Sequence, residues 1–186
     1  MKKIMFNDKY GLTQAVLEGR KTQTRRTFFK AGEEKLLHGI TPEYLIAVKS
    51  RYKVGETVAI AQSYKDIHAE ILREVGDWDL KKEFRQSKGY TNKMFVRSER
   101  MPHAIWITNI RVERLQDISE EDCMKEGIWR DDNVGLEGTT YWYHGLANSS
   151  FRTPQEAYAS LIDSISGKGT WASNPYVFVY DFELIN

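Results

Sequence analysis

Gly19-Arg20-Lys21-Thr22-Gln23-Thr24-Arg25-Arg26 places four cations and two hydroxyls, with no acid, in eight residues. It follows directly on a helix stop: Gly19 closes a helix predicted over about residues 10–18, with Leu12, Ala15 and Val16 facing inward. A turn leading into a strand presents backbone N–H groups, and arginine forks around them make a cradle for a phosphate or another anion. The plainer alternative is a solvated basic loop, because clustered charges commonly lie on the surface. In an ideal strand Lys21 and Thr24 point to opposite faces, so uniting them at one site demands a turn at 19–22.

Around this motif the charge is sorted along the chain. Residues 1–53 carry 12 Lys/Arg and 5 Asp/Glu, residues 54–100 carry 9 and 8, and residues 101–186 carry 6 and 13. The formal net charge of +1 over 186 residues therefore hides +7 at one end and −7 at the other. The total argues against a generally basic nucleic-acid coat, whereas the sorted charge permits a local anion site. An apolar share of 41% supports one hydrophobic core and, as a prior from length, a single domain over 1–186.

The single cysteine, Cys123, excludes an internal disulfide framework. Four scattered histidines, His38, His68, His103 and His144, lack zinc-type spacing, so neither a metal nor a cofactor is expected. Lys2 and Lys3 precede only Ile4-Met5-Phe6, too short for the apolar region of a signal peptide. No apolar run approaches the ~18–20 residues that span a bilayer. The expectation is a soluble, cytoplasmic protein without membrane contact.

The best-marked helix is 154–166, with Thr153 as N-cap, Pro154 at the first helical position, Glu156 completing a capping box and Gly167 as the stop. A shorter one over about 120–126 has Ser119 as cap and Gly127 as stop. Tyr64, Ile67, His68, Ile71, Leu72 and Val75 recur at helical steps over 64–75, and Thr41-Pro42 starts a helix through Lys49. Strands are predicted over Ile4–Phe6, 56–62, 104–115 and 176–184. Within 104–115 the apolar alternation changes phase between Ile107 and Ile110, which predicts a bend near Thr108-Asn109. The run Tyr176-Val-Phe-Val179, apolar on both faces, belongs in the middle of a sheet. The sum is an α+β chain, with an insertion expected at 77–100 and a loop-like, glycine-containing stretch over 129–150, both suited to the rim of a small sheet. Trp106, Trp171, Phe178 and Phe182 are assigned to packing.

The Gly-Arg-Lys-Thr-x-Thr run, with Leu17 in the preceding helix and Val54-Gly-Glu56 leading into a strand, resembles the opening of the ASCH domain, a relative of the PUA RNA-binding fold. Ile110–Ile118, the helix 119–126 with Gly127, and Trp171-Ala-Ser-Asn-Pro-Tyr176 before the last strand extend the resemblance, the last to larger ASCH-like proteins of bacteria and their phages. It covers roughly 1–62 and 101–186 and leaves 77–100 without a counterpart. The resemblance implies a mixed β-barrel with peripheral helices and a cleft facing RNA, a nucleoside or a nucleotide.

Some small ASCH proteins are amidohydrolases that deacetylate cytidine acylated on its exocyclic amine, with a lysine, a threonine and a glutamate. By position the resemblance implies Lys21, Thr24 and Glu126 for these roles, in a chain nearly twice as long with large added loops. In such a reaction Thr24 attacks the acyl carbon, Lys21 takes its proton, Glu126 protonates the leaving nitrogen or orients Lys21, and a backbone N–H or Arg25 stabilises the oxyanion. A lysine base requires its pKa to fall from about 10.4, which burial and neighbouring cations promote. The alternatives are that Lys21 and Thr24 bind a phosphate or cap a turn, and that Glu126 is a solvated helix residue.

Arg20, Arg25 and Arg26 are expected to face an anion or an acidic protein partner. Trp142 and Tyr143, in Tyr141-Trp142-Tyr143-His144, are candidates for base stacking. Three functions thus stand side by side: an RNA- or modified-nucleoside-binding protein, an amidohydrolase, and a phage-type module that docks an acidic protein.

Overall fold

The computed structural model describes residues 1–28, 39–75, 85–132, 138–145 and 150–185, with the backbone alone for 71–75. The predicted helix stop at Gly76, the first part of the 77–100 insertion and parts of 129–150 lie outside these residues. The strands are β1 (Lys2–Ile4), β2 (Gln23–Thr27), β3 (Thr57–Ile60), β4 (Ala104–Arg114), β5 (Trp129–Asp131), β6 (Thr140–Trp142) and β7 (Tyr176–Ile185). The α-helices are α1 (Leu12–Leu17), α2 (Pro42–Lys49), α3 (Tyr64–Val75), α4 (Glu120–Lys125), α5 (Pro154–Ser166) and α6 (Thr170–Ser173). The fold is α+β: a mixed five-stranded sheet ordered β1-β3-β4-β7-β2, a two-stranded ribbon β5-β6, and helices between them. Among the described residues, no helix is long and apolar enough to cross a membrane.

Two compact units divide the chain, the first Met1–Phe6, Thr57–Trp106 and Leu184–Asn186, the second Asn7–Glu56 and Ile107–Glu183. In the first, β1 runs parallel to β3, pairing Ile4 with Ile60, and β3 runs antiparallel to β4, pairing Val58 with Ile105. Ile4, Val58, Ile60 and Ile105 are fully buried there. The strand nearest the N-terminus ends two residues earlier than predicted, at Ile4; Phe6 is nonetheless buried, so the apolar run Ile4-Met5-Phe6 reports the core beyond the strand. The described part of 77–100 is tied down by lysines. Lys3 donates to the carbonyls of Lys93, Met94 and Val96 at 3.2, 2.6 and 2.8 Å, and buried Lys93 donates to that of Phe6 at 2.5 Å.

In the second unit β2 and β7 pair antiparallel, from Gln23 opposite Asp181 to Thr27 opposite Val177. β7 lies between β4 and β2 in the strand order, and Val177, Phe178, Val179 and Tyr180 are buried on both its faces, as an apolar run without alternation requires. Thr153 caps α5 by accepting from the Glu156 amide at 3.2 Å, and Ala157, Tyr158, Leu161 and Ile162 form its buried stripe. Ser119 caps α4 in the same way, accepting from the Asp122 amide at 3.1 Å.

The phase change in β4 is present: Ile105 and Ile107 are buried, Thr108 and Asn109 are both exposed, and Ile110 is buried again. Two predictions need correction. The 129–150 stretch is not only loop, because β5 and β6 pair within it, Trp129 opposite Trp142. Trp106 is 42% exposed rather than packed, since the alternation that buries Ile105 and Ile107 turns the residue between them outward.

Candidate functional site

The basic motif forms β2 and the turn before it, and α4 lies at its side. Gly19 adopts a φ of 71°, which reverses the chain out of α1. The amide of Thr22 then donates to the Lys125 carbonyl at 3.0 Å, satisfying one of the carbonyls that a helix leaves open at its end. Gly127 ends α4 with a φ of 99°; a Cβ there would stand 3.8 Å from that of Lys21 and 3.4 Å from a Leu12 methyl. Glycine thus lets the end of α4 approach the motif closely.

Asp122 and Glu126 are four residues apart, so one face of α4 presents both carboxylates to the motif. Lys21 Nζ donates to the Glu126 carboxylate at 2.5 Å, to the Glu126 carbonyl at 2.9 Å and to the Gln23 carbonyl at 2.7 Å. A cation at the C-terminal end of a helix is favourable for the helix as well as for the carboxylate. That answers why an acid is tolerated at this helix end. Burial lowers the Lys21 pKa, and the negative charge of Glu126 opposes that fall.

Arg25 is expected from sequence to face a nucleic acid or another anion, but the structure turns it inward. Its side chain is 0% exposed. The guanidinium donates through Nε and Nη2 to Glu113 at 3.0 and 2.6 Å, through Nη2 to Asp122 at 3.0 Å, and through Nη1 to Glu126 at 3.2 Å and to the Gln23 side-chain oxygen. These account for all five guanidinium donors. Burial works against the Arg25 charge, but the carboxylates of Glu126 and Glu113 outweigh it and hold the proton more firmly than usual. The physical reason for the inversion is the −7 end of the chain: Glu113, Asp122 and Glu126 all come from it.

Arg111 of β4 extends the network, donating to Glu113 at 2.9 Å, to Asp181 at 2.8 Å and to Asp122. Gln23 donates to Asp181 at 2.6 Å and Asn109 to the same carboxylate at 3.1 Å. Burial tends to raise the Asp122 pKa, but the hydrogen bond from Arg25 and the charge of Arg111 bring it below its ordinary value. Arg111, Gln23 and Asp181 are members that sequence reasoning missed. Their signal was a shared strand face, since Asn109, Arg111 and Glu113 alternate along β4.

Thr24 is buried on β2 but lies one step out of phase with Gln23 and Arg25, so its side chain belongs to the opposite face. There it pairs in register with Tyr180, whose hydroxyl is 3.0 Å from that of Ser50 and whose ring meets Tyr52 edge-on at 5.2 Å. Arg26 shares that face, opposite Phe178, on which Phe28 stacks at 4.1 Å. The structure therefore brings Lys21, Arg25 and Glu126 together and puts Thr24 and Arg26 across the strand from that network.

Arg20 takes a third direction. Its guanidinium lies 3.8 Å over the Trp129 ring, and Trp129 stacks on Trp142 at 5.1 Å with the planes 5° apart. All three side chains are half-buried. Tyr143, the other stacking candidate, is corrected: it is 1% exposed, its hydroxyl is 2.9 Å from that of Ser160, and its ring packs edge-on against Tyr10. Strand alternation from Trp142 sends the next residue inward. Among the described residues no group of His, Cys, Asp or Glu is arranged to hold a metal ion.

Compared with protein families, curated proteins and solved structures, the chain matches none.

Proposed function

We propose that the chain is an ASCH-type, PUA-like protein, a single cytoplasmic domain closed into a mixed barrel with an insertion at 77–100, and that it binds RNA or a modified nucleoside. The observation that carries this reading is the Arg20–Trp129–Trp142 stack. A guanidinium, which Glu18 holds at 2.6 Å, and two parallel indoles, all half-buried beside the turn that opens the basic motif, make an aromatic and cationic surface of the kind on which bases stack. Arg25 enters the reading as the anchor that fixes β2, and Arg26 and Thr24 as the groups on the opposite strand face.

The test is a tryptophan-fluorescence titration of the full chain with cytidine, N-acylated cytidine and a single-stranded RNA. RNA affinity is expected to fall linearly with log salt. Arg20→Ala and Trp142→Ala are expected to weaken binding about tenfold or more, since stacking contributes about 1–3 kcal/mol per base. Unchanged affinity in both variants, or no binding at low salt, overturns the reading.

A second reading, amide hydrolysis on acylated cytidine, is favoured by the Lys21–Glu126 pair. Because Thr24 stands across β2 from that pair, this reading requires the motif to rearrange on binding substrate: Lys21 would pass a proton to Glu126, Thr24 Oγ would bond to the acyl carbon and give its own proton to Lys21, Glu126 would return its proton to the amine as the C–N bond breaks, and water would cleave the Thr24 ester to acetate, restoring the hydroxyl. Lys21 precedes β2 and stands outside its alternation, and its pKa is already lowered by burial. Release of acetate that disappears in Thr24→Ala supports hydrolysis; none from the wild type removes it. A docking role toward an acidic protein is the outcome if a partner protein co-purifies and no nucleoside binds.

A further inference from the structure

Residues 85–100, in the first compact unit, hold five cations, Arg85, Lys88, Lys93, Arg97 and Arg100, against one acid, Glu99, a net charge of +4. Lys93 is buried and the other four are exposed. In the same stretch Met94 and Phe95 stand 58% and 54% exposed. Single apolar side chains on a surface are ordinary, but two large neighbours held in water within a basic segment ask for an explanation.

Their exposure is built into the turn that carries them. Lys93 and Val96, on either side of the pair, are buried. Asn92 accepts from the Met94 amide at 3.0 Å, and Lys3 grips the carbonyls of Lys93, Met94 and Val96. Upstream, the amides of Tyr64 and Lys65 donate to the carbonyls of Gly89 and Tyr90, each at 3.0 Å. A Cβ on Gly89 would stand 2.7 Å from the Tyr64 ring, so the stretch lies tight against the start of α3. The turn is fixed from both sides and presents Met94 and Phe95 outward.

Cations share the side on which Phe95 stands. Lys88 Nζ lies 5.7 Å from the centroid of the Phe95 ring. Val96 and Arg97 have extended backbone, so with Val96 turned into the core Phe95 and Arg97 point the other way. The Arg100 amide donates to the Arg97 carbonyl at 3.1 Å, a three-residue turn that sets those two side chains one above the other. The result is one ring with a cation over it and two more beyond it. Among the described residues neither Lys88 nor Arg97 is paired with a carboxylate.

Charge selects an anionic partner, and the ring selects its class. A lipid surface takes a broad apolar face with cations at the border. Here two side chains make up the apolar part, and the ring itself lies among cations, which suits a base on its face and phosphates on either side. We propose that Lys88, Phe95, Arg97 and Arg100 form a docking surface for a single-stranded nucleic acid, made of residues other than the Arg20–Trp129–Trp142 stack. It rests on the reading above for the nature of the polyanion, and not for the residues that hold it.

The test is the anisotropy of fluorescein-labelled oligouridylate and oligothymidylate, about 12 nucleotides long, titrated with the full chain over a range of salt. Beside it runs the tryptophan-fluorescence titration with cytidine. The double variant Lys88→Gln/Arg97→Gln is expected to weaken oligonucleotide binding about tenfold at low salt, and to reduce the slope of log affinity on log salt by about 1.4, for two contacts at about 0.7 each. Phe95→Ala is expected to weaken it about fivefold or more. Both losses should be equal for the two oligonucleotides, which share phosphates and π-faces, and should leave cytidine binding and the melting temperature unchanged, since the altered side chains are exposed. Unchanged affinity and slope in both variants overturn the surface. So does sedimentation of the wild type with phosphatidylserine vesicles in the absence of oligonucleotide binding, which would assign the patch to a membrane. Oligonucleotide binding that falls with Lys88→Gln/Arg97→Gln and not with Trp142→Ala keeps this surface and removes the stack, and the opposite pattern removes this surface and keeps the stack.

Discussion

Lys21 Nζ lies 2.5 Å from Glu126 Oε2, with the two side chains 1% and 5% exposed. Removing Glu126 leaves Lys21 a buried charge and removing Lys21 leaves Glu126 with Arg25 alone against it, at 3.2 Å, whereas removing both leaves neither. Lys21→Met alone is expected to cost about 3–5 kcal/mol. Adding Glu126→Gln should recover part of that loss. Urea denaturation of the two single variants and the double variant measures it, and simple additivity would show that the pair is uncoupled.

Arg25 serves three carboxylates with one planar fork. Lysine has the charge but neither the reach nor the five donors. Arg25→Lys should therefore destabilise by about 3 kcal/mol or more, as expected for leaving buried charges unpaired. RNA affinity, measured well below the melting transition, should be unaltered. A stable variant that binds less RNA would mean that this side chain meets the ligand directly.

The acid limb of stability follows from Asp122. Its pKa is below the ordinary 3.8 in the folded chain, so its contribution is complete above that value and is lost as pH falls through the depressed one. Asp122→Asn should flatten the fall in stability below about pH 4. Denaturation midpoints between pH 3 and 7, wild type against variant, would reveal equal slopes if the carboxylate were unperturbed when folded.

Cys123 is fully buried, and burial pushes its thiol pKa up to about 12. Only the thiolate reacts. At pH 8 a chromogenic disulfide reagent should leave the native chain untouched and titrate one thiol after addition of denaturant. Prompt reaction of the native chain would show an opening of α4.

Tyr143 was a candidate for stacking in the sequence, and its buried hydroxyl beside Ser160 gives it a packing role. Tyr143→Phe should cost about 1 kcal/mol, the net value of a hydrogen bond, and leave ligand affinity unchanged. Thermal melts and the fluorescence titration, run together, separate it from Trp142→Ala.

Local chemistry made part of this fold legible. The Thr153-Pro154 start of α5 depends on neighbours within one turn, and the change of burial phase in β4 on two apolar pairs out of step. β5 and β6, three residues each, are too short for an alternation to stand out from a glycine-containing loop. Trp106 is legible as well: its position between Ile105 and Ile107 places it outside, against the packing role that most aromatics take. The site divides likewise. Lys21 and Glu126 carry a motif, whereas the inward turn of Arg25 depends on acids 88 to 101 residues away, which no local pattern encodes.

That separation has a consequence for the order in which the chain is made. When Lys21 and Arg25 leave the ribosome, none of their carboxylate partners has been synthesised, and Asp181, on which Gln23 closes the network, is 158 residues later. Until Glu113, the earliest of the carboxylates that hold Arg25, has been made, the basic segment is solvated or held by something else. Its strand can join the sheet only when β7 emerges, so this unit is completed by a pairing across almost all of the intervening sequence.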